Sequence, residues 1–150
     1  EAQTVMASLN QKAKRAADRC CISACTDITG FGLLGHCVEM ASASGVTFEL
    51  KVNDIAYFQD AVEYAKMGLV PAGTYKNRGY SIGSVDAQGI EEFYLDLLYD
   101  PQTSGGLLLS VAREDLGTLL SELKASGIDT AVSVIGSVAP ESDKLIRLLK

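Results

Sequence analysis

Three short segments hold the residue types from which chemistry could be built. Thr26-Asp27-Ile28-Thr29-Gly30-Phe31-Gly32 places a carboxylate where a small apolar run ends, then a glycine turn, then a helical pattern. Such a turn offers free backbone N–H groups and the positive end of a helix dipole, and a carboxylate at a strand end can ligate a hard cation such as Mg2+. Phosphate together with magnesium suits this arrangement; the alternative is that Asp27 only caps the helix or the turn. Asp100-Pro101-Gln102-Thr103-Ser104-Gly105-Gly106 has the hydroxyls and glycines of a phosphate loop. A strand pattern follows it, however, and no lysine stands at the Walker position, which excludes a P-loop. Read structurally, it is a helix-to-strand turn that needs glycine dihedrals. Pro71-Ala72-Gly73-Thr74-Tyr75-Lys76-Asn77-Arg78 joins a turn signal to two cations, which could meet phosphate or stand solvated.

Four cysteines, Cys20, Cys21, Cys25 and Cys37, crowd into eighteen residues, and none occurs elsewhere. A secretory disulfide framework would spread its bridges across distant loops, so reduced thiols of a cytoplasmic protein are expected. With His36 they could form a zinc site, but the paired C-x-x-C spacing is missing, and small buried side chains on an apolar strand are the simpler reading. His36, the sole histidine, falls on the helix after the glycine turn, where a structural hydrogen bond is expected. No nucleophile, base and orienting group stand in a recognisable elbow, so no catalytic residue is assigned.

Around these segments helical and strand periodicities alternate. Thr4 to Arg19 carries Val5, Met6, Leu9, Ala13, Ala16 and Ala17 at helical spacing and predicts one amphipathic helix. Cys21 to Thr26 suits a buried strand. Leu33, Leu34, Cys37, Val38 and Ala41 predict a second helix capped by Gly45, and Val46 to Val52 alternates as a strand. Ala56 to Met67 reads as a helix stopping at Gly68, followed by a glycine-rich irregular excursion to Gly89 with at most one short strand. Ile90 to Tyr99 is helical, Gly105 to Ala112 a strand, and Arg113 to Ser126 a helix with Gly127 behind it. Thr130 to Val138 and Leu145 to Leu149 are expected to close the chain as a hairpin. Interleaved elements ending in an antiparallel pair predict an α+β fold, a mixed, largely antiparallel sheet packed with helices.

The chain is 150 residues long, with 47% hydrophobic and 21% charged residues, which gives a single domain a sizeable core. A net charge of −6 opposes attraction to nucleic acid or to an anionic membrane surface, and neither is expected as a partner. No apolar run approaches the ~20 residues that cross a bilayer. No basic segment leading into an apolar one opens the chain, so no targeting signal is expected, and the start at Glu1 reads as that of a trimmed fragment.

The twelve residues Cys25 to His36, followed by Glu39-Met40-Ala41, resemble the T-D-[IV]-T-G-F-G-L-x-G-H signature of the selenophosphate synthetase (selenide, water dikinase) family. Asp100 to Leu108 resembles that family's second signature, shared with the wider superfamily that includes aminoimidazole ribonucleotide synthetase. Gly73-Thr74 with Asn77-Arg78 resembles a third. The resemblance implies the fold of that superfamily's C-terminal domain. Residues 1–150 would be one such domain of a two-domain synthetase whose N-terminal ATP-binding domain lies outside this sequence. The intact enzyme would be a cytoplasmic homodimer making selenophosphate, AMP and phosphate from ATP, selenide and water with Mg2+, and the isolated fragment inactive. Asp27 carries over as a metal ligand. Thr29, Gly30 and Gly32 would shape the nucleotide-binding turn, and Asn77, Thr103 and Ser104 would line the cleft. None of the cysteines matches the family nucleophile. Another ATP-dependent member of the superfamily, against which Phe31 and Leu33 to His36 argue, or a zinc-binding module are the alternative readings.

Overall fold

The computed structural model describes residues 1–150 as two units, Glu1–Ile28 with Ser104–Val132 and Thr29–Thr103 with Ser133–Lys150. In the first, strands β1 (Ile22–Asp27) and β4 (Leu107–Val111) pair antiparallel, and helices α2 (Gln11–Ala17) and α7 (Leu116–Ala125) pack together. Ala16 and Ala17 of α2 meet Leu119 and Leu123 of α7, with Ile22, Leu109 and Val111 of the strands against them. Small residues on α2 let the two helices approach closely, and leucines from α7 fill the space above the sheet. A bulge between Ile22 and Ala24 shifts the register so that Cys25 lies opposite Leu109 and Asp27 opposite Leu107. Directly opposed residues share a face. Cys25 and Asp27 therefore stand on the same side as Leu109, farther along the strand, and both are exposed.

In the second unit a four-stranded sheet runs β3 (Val85–Asp86), β6 (Ile146–Leu149), β2 (Val46–Lys51), β5 (Gly136–Pro140). β2 and β5 are antiparallel, whereas β6 is parallel to both β2 and β3. Helix α3 (Gly32–Ser44) lies against β2 and β6 and meets α5 (Ala72–Ser81) and α6 (Glu92–Leu98); α4 (Gln59–Lys66) packs on α6. Leu34, Cys37 and Ala41 of α3, Leu50 of β2, Ile146 of β6 and Leu98 of α6 are buried. Gly45 ends α3 in the left-handed conformation expected of its cap. The fold is α+β, as the alternation of elements predicts, with a two-stranded antiparallel sheet and a mixed four-stranded one, and no helix is long and apolar enough to cross a membrane.

Several elements depart from the expectations. The single helix over Thr4 to Arg19 is instead α1 (Ala2–Ala7) and α2, broken at Ser8 to Asn10. Leu9, placed on the inner stripe by its spacing, is 80% exposed. The break is held by polar contacts to residues far along the chain: the Ser8 hydroxyl donates to Asp129 and the Asn10 amide to the Gly105 carbonyl. The apolar strand with buried cysteines is instead half open, with Cys25 exposed. Part of the glycine-rich excursion is the ten-residue helix α5. The closing hairpin does not form: β2 lies between β5 and β6. Gly136 permits the close pairing of β5 with β2, since a Cβ there would run into the Glu49 carbonyl oxygen.

Asp96 on α6 is buried, and its Oδ1 has no hydrogen-bond partner. Burial first, then the nearby charge of Glu92, push its carboxyl above the ordinary range, against a pull from Arg78. An acid whose pKa is raised on folding binds more protons in the native state, so its contribution to stability falls as pH rises between its unfolded and folded values. Asp96→Asn removes the buried charge. Its urea midpoint is expected above that of the parent at about pH 8 and equal to it at about pH 3, below the usual carboxylate range. Urea titrations at the two pH values check this, and an unchanged or lowered midpoint at the higher pH contradicts it.

Candidate functional site

The expected site residues divide between the two units, which the chain joins at Ile28–Thr29, Thr103–Ser104 and Val132–Ser133. In the first unit, Asp27 closes β1. Ile28 N–H donates to the Gly106 carbonyl at 2.9 Å and Gly105 N–H to the Ile28 carbonyl at 3.0 Å, so the end of β1 is bonded to the glycines of the second motif. The carboxylate of Asp27 accepts no hydrogen bond and forms no ion pair, and α3 has no side-chain cap; the reading of Asp27 as a cap is not what the fold adopts. Its charge is nonetheless felt. Burial first and Asp27 second hold the Cys25 thiol above its ordinary range, with Lys14 pulling the other way. Ser104 is exposed and holds a left-handed backbone, φ 54°, the one such residue that is not glycine.

In the second unit residues of the three motifs lock together through backbone groups, the Asn77 amide and the Pro101 ring. Gly32, with φ +71°, lies so near the end of α6 that a Cβ would come within 2.8 Å of the Tyr99 carbonyl carbon. Gly32 N–H donates to the Thr29 carbonyl, which also accepts from Gln102 N–H. The Asn77 amide donates to the carbonyls of Gly30, at 2.8 Å, and Tyr99, at 3.0 Å. Gly73 gives way to the ring of Pro101, whose Cγ lies 2.6 Å from where a Cβ would be. Gly32, Asn77 and Gly73 thus fix how the glycine turn, α5 and the segment after α6 approach one another. Asn77 spends both N–H donors inside this assembly, whereas Gly30 and Thr103 are exposed. Arg78 forms an ion pair with Glu92 that holds α5 to α6, lowering the Glu92 carboxyl and raising the Arg78 guanidinium.

His36 makes the structural hydrogen bond expected of it, to Thr29, is buried, and has a Glu39 carboxylate oxygen 3.2 Å from Nδ1. Glu39, part of the first motif but given no role by it, stands at i, i+3 from His36 on one helix face. Asp100 also escaped notice as a single group. Burial pushes its carboxyl up, and the fully buried Thr74 hydroxyl has no hydrogen-bond partner.

No three of the His, Cys, Asp and Glu side chains converge to hold a metal ion, so the cysteine cluster with His36 does not form a zinc site. Cys37 is buried in the core beneath α3, and burial pushes its thiol up to about 12. Asp27 is a free hard-oxygen donor and fits magnesium as one ligand of a larger set, not as a complete site, since that ion prefers six oxygens.

Residues 2–147 match the family described as AIR synthase related protein, C-terminal domain. The chain is 44% identical over 146 residues to "Selenide, water dikinase 2" of Peptoclostridium acidaminophilum, covering 97% of this chain and 42% of the relative. It is also 44% identical over 146 residues to "Selenide, water dikinase" of Clostridioides difficile, with the same coverage. Against the protein of that name from Caldanaerobacter subterraneus the identity is 48% over 119 residues, which cover 79% of this chain and 35% of the relative. The chain therefore spans less than half the length of these relatives.

Proposed function

The chain belongs to the AIR synthase related protein family, as its C-terminal domain, and on that premise we propose that it is the C-terminal half of a selenide, water dikinase. The intact cytoplasmic enzyme, a homodimer, forms selenophosphate, AMP and phosphate from ATP, selenide and water. This chain supplies one wall of the nucleotide and magnesium site, and its own N-terminal domain supplies the other. The reading is supported by the names of relatives 44% identical across 97% of the chain. Within the structure it is carried by one observation: Asp27 stands exposed at the end of β1 with its carboxylate unengaged.

Asp27 contributes one oxygen to magnesium, which when bound neutralises charge on the transferring phosphoryl groups. Thr29, Gly30 and Gly32 form the turn beside the phosphates at the uncapped start of α3, where backbone N–H groups suit an anion. Thr103 and Ser104 present exposed hydroxyls from the second motif, and Asn77 holds the turn in place. A single carboxylate gives this chain alone little hold on the ion.

The test is product analysis on the full-length protein and on the 150-residue chain. The full-length protein is expected to release AMP, phosphate and selenophosphate when given ATP, selenide and magnesium, and the chain alone none. Aminoimidazole ribonucleotide synthesis by the full-length protein, with no selenide-dependent turnover, would overturn the reading in favour of the superfamily's purine-pathway branch.

A further inference from the structure

Thr29 and His36 are hydrogen-bonded across the start of α3, with the Glu39 carboxylate beside the ring. The Thr29 backbone N–H donates to His36 Nε2 at 3.1 Å, so that nitrogen offers its lone pair and the ring proton sits on Nδ1. Nδ1 lies 3.2 Å from a carboxylate oxygen of Glu39, whose negative charge favours the proton on that side of the ring. Thr29 Oγ1 is also 3.1 Å from Nε2. Because Nε2 carries no proton to give, the hydroxyl must be the donor in this contact. Both directions then follow from the one backbone N–H, whose position the chain fixes. The hydroxyl has a single proton, and that proton points inward; what it retains toward anything outside the turn is two lone pairs. Phosphate oxygens are acceptors and need a donor. Turning the hydroxyl outward to meet one would break its bond to His36, a bond shielded by a ring only 8% exposed.

We infer that His36 and Glu39 are positioning residues that fix the Thr29 hydroxyl as a hydrogen-bond acceptor, so that its ligand is a water carried on a hydrated divalent cation, and not a phosphate oxygen. The polarity rests on this chain's own geometry. The ligand rests on the proposed place of the turn beside the nucleotide.

Long-range 15N–1H NMR on the 150-residue chain reads the polarity without any ligand: the His36 proton is expected on Nδ1 with Nε2 bare, and a proton on Nε2 overturns the inference. The ligand class is read in the full-length protein. Thr29→Val is expected to raise the magnesium concentration giving half-maximal rate about tenfold, the effect of roughly one hydrogen bond, while the KM for ATP stays within about twofold. Thr29→Ser, which keeps the hydroxyl, restores the parent value, and Thr29→Ala replaces the valine variant should that one not fold. A raised KM for ATP with an unchanged magnesium requirement would make the hydroxyl a phosphate donor and overturn the inference; so would a variant in which neither quantity changes. Failure of the proposed activity appears separately, as a full-length protein that does not consume ATP with selenide, and leaves the NMR result standing.

Discussion

Gly32→Ala is expected to cost about 3 kcal/mol of folding stability, by addition of two penalties. A left-handed backbone costs a residue with a Cβ about 1–2 kcal/mol, and forcing new atoms into a filled space costs about 1–3 more. Both apply at Gly32, where φ is +71° and the added Cβ would meet the Tyr99 carbonyl carbon at 2.8 Å, the Tyr99 oxygen at 2.9 Å and the Asp100 oxygen at 3.0 Å. Those atoms are backbone and cannot rotate aside. For a chain of this size the melting temperature should fall by roughly 10 °C. Two other glycines separate the penalties. Gly45 has φ +61° but open space, so Gly45→Ala should cost only about 1 kcal/mol, the backbone share. Gly30 has neither a positive φ nor any atom within 4 Å, and Gly30→Ala should change stability by less than about 0.5 kcal/mol. Thermal and urea unfolding of the three variants provide the check. A Gly32 variant no worse than the Gly45 variant would mean that the segment after α6 does not press on the turn.

Asp27→Ala should show the opposite profile, a large loss of activity on an unchanged fold. Its carboxylate holds no other group of the protein, so stability should move by less than about 0.5 kcal/mol, as for a surface change that breaks no contact. In the full-length enzyme selenophosphate formation should drop by at least about 10²–10³-fold, the scale on which removing one stabilising group from a charged transition state is felt. Near-normal turnover would refute the assigned role. The 150-residue chain offers a second readout. Asp27 is one of the charges holding the Cys25 thiol up, so the alanine variant should have a more readily ionised Cys25, seen as faster alkylation at a fixed pH. An unchanged rate would mean that the two side chains do not feel each other across one face of β1.

Much of this was legible in the residue order. Leu34, Cys37 and Ala41 fall on the buried side of α3, as their spacing requires, and Gly45 ends the helix in the conformation only glycine takes easily. Leu119 and Leu123 do the same for α7. The three motifs stand out because their glycines and polar residues suit a backbone near an anion, a local property. Helix α5 was hidden by its own glycines. Gly73 and Gly79 read as turn residues, yet Gly73 is small because Pro101, some thirty positions later, passes across it.

The sequence alone determined the local conformations and the chemical character of the motifs, since periodicity, caps and functional groups are properties of residues a few positions apart. Only the tertiary structure decided that α1 and α2 part at Ser8 to Asn10, that β6 joins β2 and β3 instead of β5, and that Glu39 and Thr29 reach His36 from either side. Those outcomes depend on which distant backbone groups find partners. That competition among hydrogen bonds and packed surfaces is settled over the whole chain and leaves no periodic trace in any one segment.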